Sequence, residues 1–321
     1  MFDKASKKNI IFLAAFLTVI LFLFSDKAPS GGSESLNHDF GVAEKSSPPV
    51  LSNIFEPLKI EAKSVYVLDL KNKREIFSKN AEVQLPLASL TKLMTAFLAA
   101  DYLSSDASVV ISENAIIQDG DNDFFAGQTW PISDLVDFML VSSSNDAAFA
   151  IAEKVGNLSG GNQKIITNEE TEKIFVRLMN QKAREFNLTQ TFFLNSTGLD
   201  MSKRSAGAFG SAKDIAFLME RIIEKNPDFL SATRYEFLEF LSRENKIYTA
   251  KNTNKGLANI FQIIGGKTGF TDISGGNLAV VVDIGINHPA AIVVLGSSEE
   301  GRFADTENLV RATYKWFEFY K

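Results

Sequence analysis

Residues 277–295 read NLAVVVDIGINHPAAIVVL. Two strand-like runs, Asn277–Ile284 and Ala290–Leu295, flank a turn punctuated by Asn287-His288-Pro289. Near the other end of the chain, Ser64–Leu70 (SVYVLDL) and Glu75–Ser78 (EIFS) are short β runs joined by the polar Lys71-Asn72-Lys73-Arg74, as in a hairpin. Between these terminal strands the patterns are helical. They cover Ser89–Leu103, Ile132 to about Val141, Asp146–Val155, Asn168–Phe186 and Ser211–Lys225, with Ser211 as N-cap. A last helical stretch runs from Phe303 to Tyr320, and its aromatic face is expected to pack on the sheet. The economical solution is an α/β protein of the α+β type. Its mainly antiparallel sheet is built from both ends of the chain and flanked by helices, with a helical subdomain inserted in the middle.

The 321 residues carry 33 Lys and Arg against 39 Asp and Glu, a formal charge of −6, and 45% are hydrophobic. Those values exclude disordered, collagen-like and low-complexity classes. With no cysteine, thiol nucleophiles, iron–sulfur clusters, cysteine zinc sites and disulfide scaffolds are excluded. Only two histidines, His38 and His288, are present, and each is expected in a linker or a turn. No basic stripe stands out, so nucleic acid is not an expected partner. No metal site is expected. Asp119, Asp121 and Asp123 alternate like a calcium loop, but Thr129-Trp130-Pro131 follows where the loop needs a Glu, so a solvated turn is the simpler reading.

Lys4, Lys7 and Lys8 precede an apolar run, Ile10–Phe24, broken only by Thr18. A basic head before a hydrophobic stretch is an export signature. Residues 1–25 are therefore expected to form an N-terminal membrane anchor, with a cleaved signal as the alternative. Positive-inside orientation then places the rest outside the cytoplasm. Residues 26–58, rich in Ser, Gly and Pro, read as a flexible linker, and 59–321 as the working domain.

Three short motifs carry the chemistry. Ser89-Leu90-Thr91-Lys92 is the sole S-x-x-K in the chain. Positions i and i+3 share a helix face, so hydroxyl and amine can meet. With so few histidines, lysine is the available base for a serine nucleophile, provided burial or a nearby cation keeps it neutral. Ser143-Ser144-Asn145 interrupts a helix and would direct Ser143 and Asn145 into a cleft. The same pattern at Ser35–Asn37 and Ser112–Asn114 shows how weak it is alone. Lys267-Thr268-Gly269, with Gly265-Gly266 before it and Phe270 after it, offers a positive charge and a hydroxyl suited to a carboxylate, on a backbone that a ligand can approach closely.

In this order the three motifs are the set found in penicillin-binding proteins and class A β-lactamases. The chain resembles the D-alanyl-D-alanine carboxypeptidase family of low-molecular-mass penicillin-binding proteins, which are serine DD-peptidases. The likeness extends over about residues 59–321. It includes Leu85-Pro86-Leu87-Ala88, Asn145-Asp146-Ala147-Ala148 with Ala152-Glu153, Met179-Asn180 with Lys182-Ala183, Phe193, Gly198-Leu199-Asp200, Asn252-Thr253-Asn254, Val294-Leu295-Gly296, Arg302-Phe303 and Asp305.

The resemblance implies a penicillin-binding, β-lactamase-like fold and a hydrolase that needs no cofactor. It implies Ser89 as nucleophile, Lys92 as general base, and Ser143 and Asn145 for proton transfer and substrate orientation. Lys267 and Thr268, with Gly269 and Phe270, would bind the terminal carboxylate and line the oxyanion hole. The backbone N–H groups of Ser89 and Phe270 would supply the hole's donors. The implied partners are a peptidoglycan stem peptide, β-lactams as covalent inhibitors, and the membrane through the N-terminal segment. Release of terminal D-alanine is the expected reaction. Cross-link cleavage by a DD-endopeptidase and a non-catalytic penicillin-binding scaffold are the alternatives. The E-x-x-L-N deacylation signature of class A β-lactamases is missing between Asn145 and Lys267, so slow deacylation and penicillin trapping are expected.

Overall fold

The computed structural model describes residues 54–120, 122–160 and 168–320. Among the described residues the first elements are β1 (Ser64–Asp69), β2 (Arg74–Lys79) and β3 (Leu85–Pro86), followed by a 3-10 turn at Ala88–Thr91 that leads into α1 (Lys92–Tyr102). β4 (Ser108–Val110), β5 (Thr129–Pro131), α2 (Ile132–Ser142), α3 (Asn145–Ser159) and α4 (Asn168–Glu185) follow. Next come β6 (Phe192–Phe193), β7 (Ala208–Gly210), α5 (Ala212–Lys225) and the hairpin β8 (Phe237–Leu241)–β9 (Ile247–Lys251). The chain then forms β10 (Ile263–Thr271), β11 (Gly275–Asp283), β12 (Pro289–Ser297) and α6 (Gly301–Tyr320).

The main sheet has the order β10-β11-β12-β1-β2, with every pair antiparallel. β1 lies between its hairpin partner and the last strand, in register Ser64↔Leu295 through Asp69↔Ala290. The two apolar runs at 277–295 read as continuous rather than alternating because both faces of the sheet are covered. Val280, Val282, Ile292 and Val294 pack toward Leu309, Val310 and Trp316 of α6. Ala279, Val281, Ala291, Val293 and Leu295 share the other core with α1, α5 and the helical insert. Of the closing helix's aromatic side chains, Trp316 is buried and Tyr314 and Phe317 pack against the same core, while Phe319 is exposed.

Strands were expected at 64–70, 75–78, 277–284 and 290–295, and the sheet contains all four. β10 and the β8–β9 hairpin were not anticipated. Glycine is depleted in strands, so IIGGKTGF does not read as one. Here, however, the glycines permit contact: a Cβ on Gly265 would lie 2.4 Å from the Leu230 oxygen, and one on Gly269 would lie 2.7 Å from the Leu87 oxygen. His288 occupies the expected turn but is not a solvent-facing residue. Its Nε2 is 2.9 Å from Asp69 Oδ1, and its ring lies 4.5 Å from that of Phe317. The anticipated helix at Ser89 begins as the tighter 3-10 turn, and α-helical geometry starts at Lys92.

Packing begins ahead of Lys59. The Phe55 ring stacks on Phe77 at 4.7 Å, and Ile54 and Leu58 pack beside it. The apolar run 10–24, most of the linker, His38 and Asp121 of the aspartate-rich turn lie outside the described residues. Among the described residues, no helix is long and apolar enough to cross a membrane.

Candidate active site

Ser89 stands on a strained turn. Ala88 has φ +47, a left-handed conformation that L side chains adopt at a cost. The surroundings hold it there. The Ala88 carbonyl accepts a 2.7 Å hydrogen bond from Thr91 Oγ1, and Gly198 presses against the same carbonyl, where a Cβ would come within 2.0 Å. One turn later Lys92 is fully buried. Its Nζ lies 3.0 Å from Ser89 Oγ, 2.7 Å from Asn145 Oδ1 and 2.7 Å from the Thr197 carbonyl.

Asn145 reaches Lys92 because α2 ends abruptly. Ser143 takes φ +63 and stops that helix, while Ser144 Oγ accepts from the Ala147 N–H and caps α3, whose first residue is Asn145. The Asn145 amide is oriented from both sides: Nδ2 donates to the Asp119 carbonyl at 2.5 Å, which leaves Oδ1 facing the lysine. Ser143 is half-buried, and its hydroxyl makes no hydrogen bond among the described residues.

The opposite wall is β10, one edge of the main sheet. Lys267 is buried and donates to the Thr268 carbonyl at 3.0 Å. Thr268 Oγ1 lies 2.6 Å from Thr253 Oγ1. The strand rests on the Ser89 turn, since a Cβ on Gly269 would be 3.3 Å from the Ser89 nitrogen. Beyond it, Phe270 is exposed at the rim. Arg302, buried at the start of α6, donates from Nη1 to the Gly269 carbonyl at 2.9 Å.

Three basic side chains, Lys92, Lys267 and Arg302, therefore lie in sequence, and among the described residues none of them forms a salt bridge with a carboxylate. Burial, and then the Arg302 charge, bring Lys267 down to about 7. Burial, followed by the Lys267 charge, holds Lys92 well below the ordinary lysine value. Removing an ammonium from water disfavours its charged form, and a second cation nearby adds to that. The result is a lysine shifted toward its neutral form, in contact with a serine hydroxyl and close to a second buried lysine.

A profile of the D-alanyl-D-alanine carboxypeptidase family, Peptidase_S11, matches residues 51–299. The chain belongs to this family. D-alanyl-D-alanine carboxypeptidase DacF of Bacillus subtilis is 27% identical over 266 residues, a match covering 80% of this chain and 63% of that protein. This chain thus spans under two thirds of that relative's length. A D-alanyl-D-alanine endopeptidase of Pseudomonas aeruginosa is 27% identical over 290 residues, covering 88% of this chain and 86% of its own. Among solved structures, penicillin-binding protein D2 of Listeria monocytogenes with ampicillin bound superposes at TM-score 0.63 with 27% identity. That match covers 80% of this chain and 98% of the Listeria chain. The expected penicillin-binding fold is the one this D-alanyl-D-alanine carboxypeptidase family member has.

Of the residues singled out in the sequence, Ser89 and Asn145 meet at Lys92, Lys267 is near enough for its charge to act on Lys92, and Gly269 packs on the Ser89 turn. Ser143 directly precedes the Ser144 cap of α3, Thr268 contacts Thr253, and Phe270 is exposed at the end of β10. Four further contributors of this family member escaped motif reading. Two are main-chain carbonyls, of Thr197 and Asp119, for which side-chain patterns carry no signal. Thr253 and Arg302 fell within stretches resembling the family, yet nothing in their spacing linked them to Thr268 or Gly269.

Proposed function

We propose that this chain is a serine DD-peptidase of peptidoglycan that releases the terminal D-alanine of stem peptides through an acyl-enzyme. The observation that carries this reading is the environment of Lys92 Nζ. A neutral amine has two N–H groups and one lone pair. The two 2.7 Å acceptors, Asn145 Oδ1 and the Thr197 carbonyl, occupy the N–H groups. In the neutral amine the lone pair is then left to face Ser89 Oγ across the longer 3.0 Å contact, where it can take the hydroxyl proton.

The Ser89 oxygen attacks the penultimate D-alanine carbonyl and its proton passes to Lys92. The carbonyl oxygen becomes an oxyanion facing the N–H groups of Ser89 and Phe270, each such donor contributing about 3–4 kcal/mol in serine hydrolases. The C–N bond to the terminal D-alanine breaks, and the proton reaches the leaving amine through the Ser143 hydroxyl. Water then cleaves the Ser89 ester with Lys92 again taking the proton. Lys267 and Thr268, beside Gly269, hold the substrate's terminal carboxylate, and Asn145 orients its peptide. The substrate lies outside the cytoplasm, where residues 10–24 tether the enzyme to the membrane.

The family also contains endopeptidases, so cross-linked peptide is the second candidate substrate. The experiment offers the protein a stem pentapeptide, a cross-linked muropeptide dimer and penicillin. Free D-alanine from the pentapeptide, and a covalent penicillin adduct that vanishes in Ser89→Ala, are expected. Cleavage of the dimer alone would replace carboxypeptidase by endopeptidase, and an unlabelled wild type would favour a non-catalytic scaffold.

A further inference from the structure

Thr253 follows β9 and bridges the two walls of the cleft. Its N–H donates to the Val141 carbonyl in the last turn of α2, two residues before Ser143, and its hydroxyl meets Thr268 Oγ1 at 2.6 Å. The flanking residues make it a fixed point. Asn252 Nδ2 donates to the Thr233 and Tyr235 carbonyls at 2.7 and 2.9 Å, and Asn254 is buried with its Oδ1 accepting from the Gly256 N–H.

Two hydroxyls at that separation share one proton, and either oxygen can be the donor. A carboxylate bound over Lys267 and Thr268 removes that freedom. An ionised carboxylate only accepts, so the Thr268 O–H turns toward it and the Thr268 oxygen is left to accept from Thr253. We propose that Thr253 is a positioning residue for carboxylate recognition, donating to Thr268 so that Thr268 donates to the substrate's terminal anion. The inference rests on the DD-peptidase reading of the cleft. A chain of hydrogen bonds running into a charge polarises each member, and charge-assisted bonds are roughly twice as strong as neutral ones. The contribution of Thr253 is therefore specific to charged ligands. Lys267 cannot substitute for it, because its Nζ approaches the Thr268 main chain rather than the hydroxyl.

The test measures second-order acylation rates by mass spectrometry, with a penicillin and with its methyl ester, on wild type, Thr253→Val and Thr253→Ser. Valine keeps the shape and removes the hydroxyl. The free acid should acylate Thr253→Val about five- to tenfold more slowly than wild type, the ester should change less than about twofold, and serine should restore the acid rate. Equal losses with acid and ester would make Thr253 merely structural. No loss in Thr253→Val, or no rescue by serine, would also overturn the assignment. A wild type acylated by neither probe would instead overturn the enzymatic reading itself.

Discussion

The proposed roles ask Lys92 and Lys267 for opposite protonation states. As the proposed base, Lys92 works only when neutral, and burial, with the Lys267 charge beside it, shifts it toward that form. As anion receptor, Lys267 works only when charged, yet burial and Arg302 lower it to about 7. In the free enzyme the second-order acylation rate should therefore fall as pH rises through about 7, where Lys267 loses its proton. Lys267→Arg keeps its charge at any accessible pH, so the alkaline limb should move upward or vanish, even if the maximal rate drops. Acylation by a penicillin followed from pH 5 to 10 checks this, and an unchanged limb in Lys267→Arg would assign it to another group. The same depression shapes stability. Folded Lys267 binds its proton less tightly than unfolded, so unfolding takes up protons, and stability should increase with pH between about 7 and 10.5.

The segment Ser196–Gly198 shows how elements cooperate to shape the nucleophile turn. Thr95 Oγ1 donates to the Ser196 carbonyl at 2.6 Å, the Thr197 carbonyl takes a Lys92 N–H, and Gly198 at φ +83 abuts Ala88. Gly198→Ala would meet both penalties at once, a disfavoured φ and a Cβ 2.6 Å from Thr91 Oγ1. It should lower stability by about 2–4 kcal/mol and slow acylation more than about tenfold, because the Thr197 carbonyl and the Ser89 turn move together. Gly127→Ala is the control: its φ is +85, but no atom lies within 4 Å of the added Cβ. It should lose only about 1–2 kcal/mol and keep its acylation rate. Urea midpoints and acylation rates of the two variants decide the point, and similar acylation losses in both would remove the special role of Gly198. This segment also marks where sequence reading stops. Ser89 and Lys92 were legible because the i, i+3 spacing of a helical turn is a local rule. The Thr197 carbonyl was not, since it arrives from 105 residues away and any residue type could supply it. β10 was hidden for a related reason: its glycines answer to the Ser89 turn and to Leu230, not to strand propensity.

Sheet closure joins the two ends of the domain. β1 hydrogen-bonds to the last strand, and just before it the N–H groups of Glu61 and Ala62 donate to the Asp305 carboxylate of α6 at 3.0 and 2.8 Å. Ser297 Oγ donates to the same carboxylate at 2.7 Å. The paired apolar runs made this closure readable, because strands that must be covered on both faces are apolar throughout. The exact start of the packing was not readable: Phe55 lies in a Ser- and Pro-rich stretch, and its burial and its stack on Phe77 show that it belongs to the fold. A chain starting at Pro49 should therefore match the full chain in unfolding midpoint and in penicillin acylation, and, lacking the proposed tether at residues 10–24, it should not sediment with membranes. A chain starting at Lys59 loses the Phe55 stack and the packing of Ile54 and Leu58, and should be about 2–4 kcal/mol less stable. Urea unfolding with membrane fractionation of the three chains separates the two effects. Continued sedimentation of the Pro49 chain would place the tether within the domain, and equal stability of the Lys59 chain would make the Phe55 stack energetically idle.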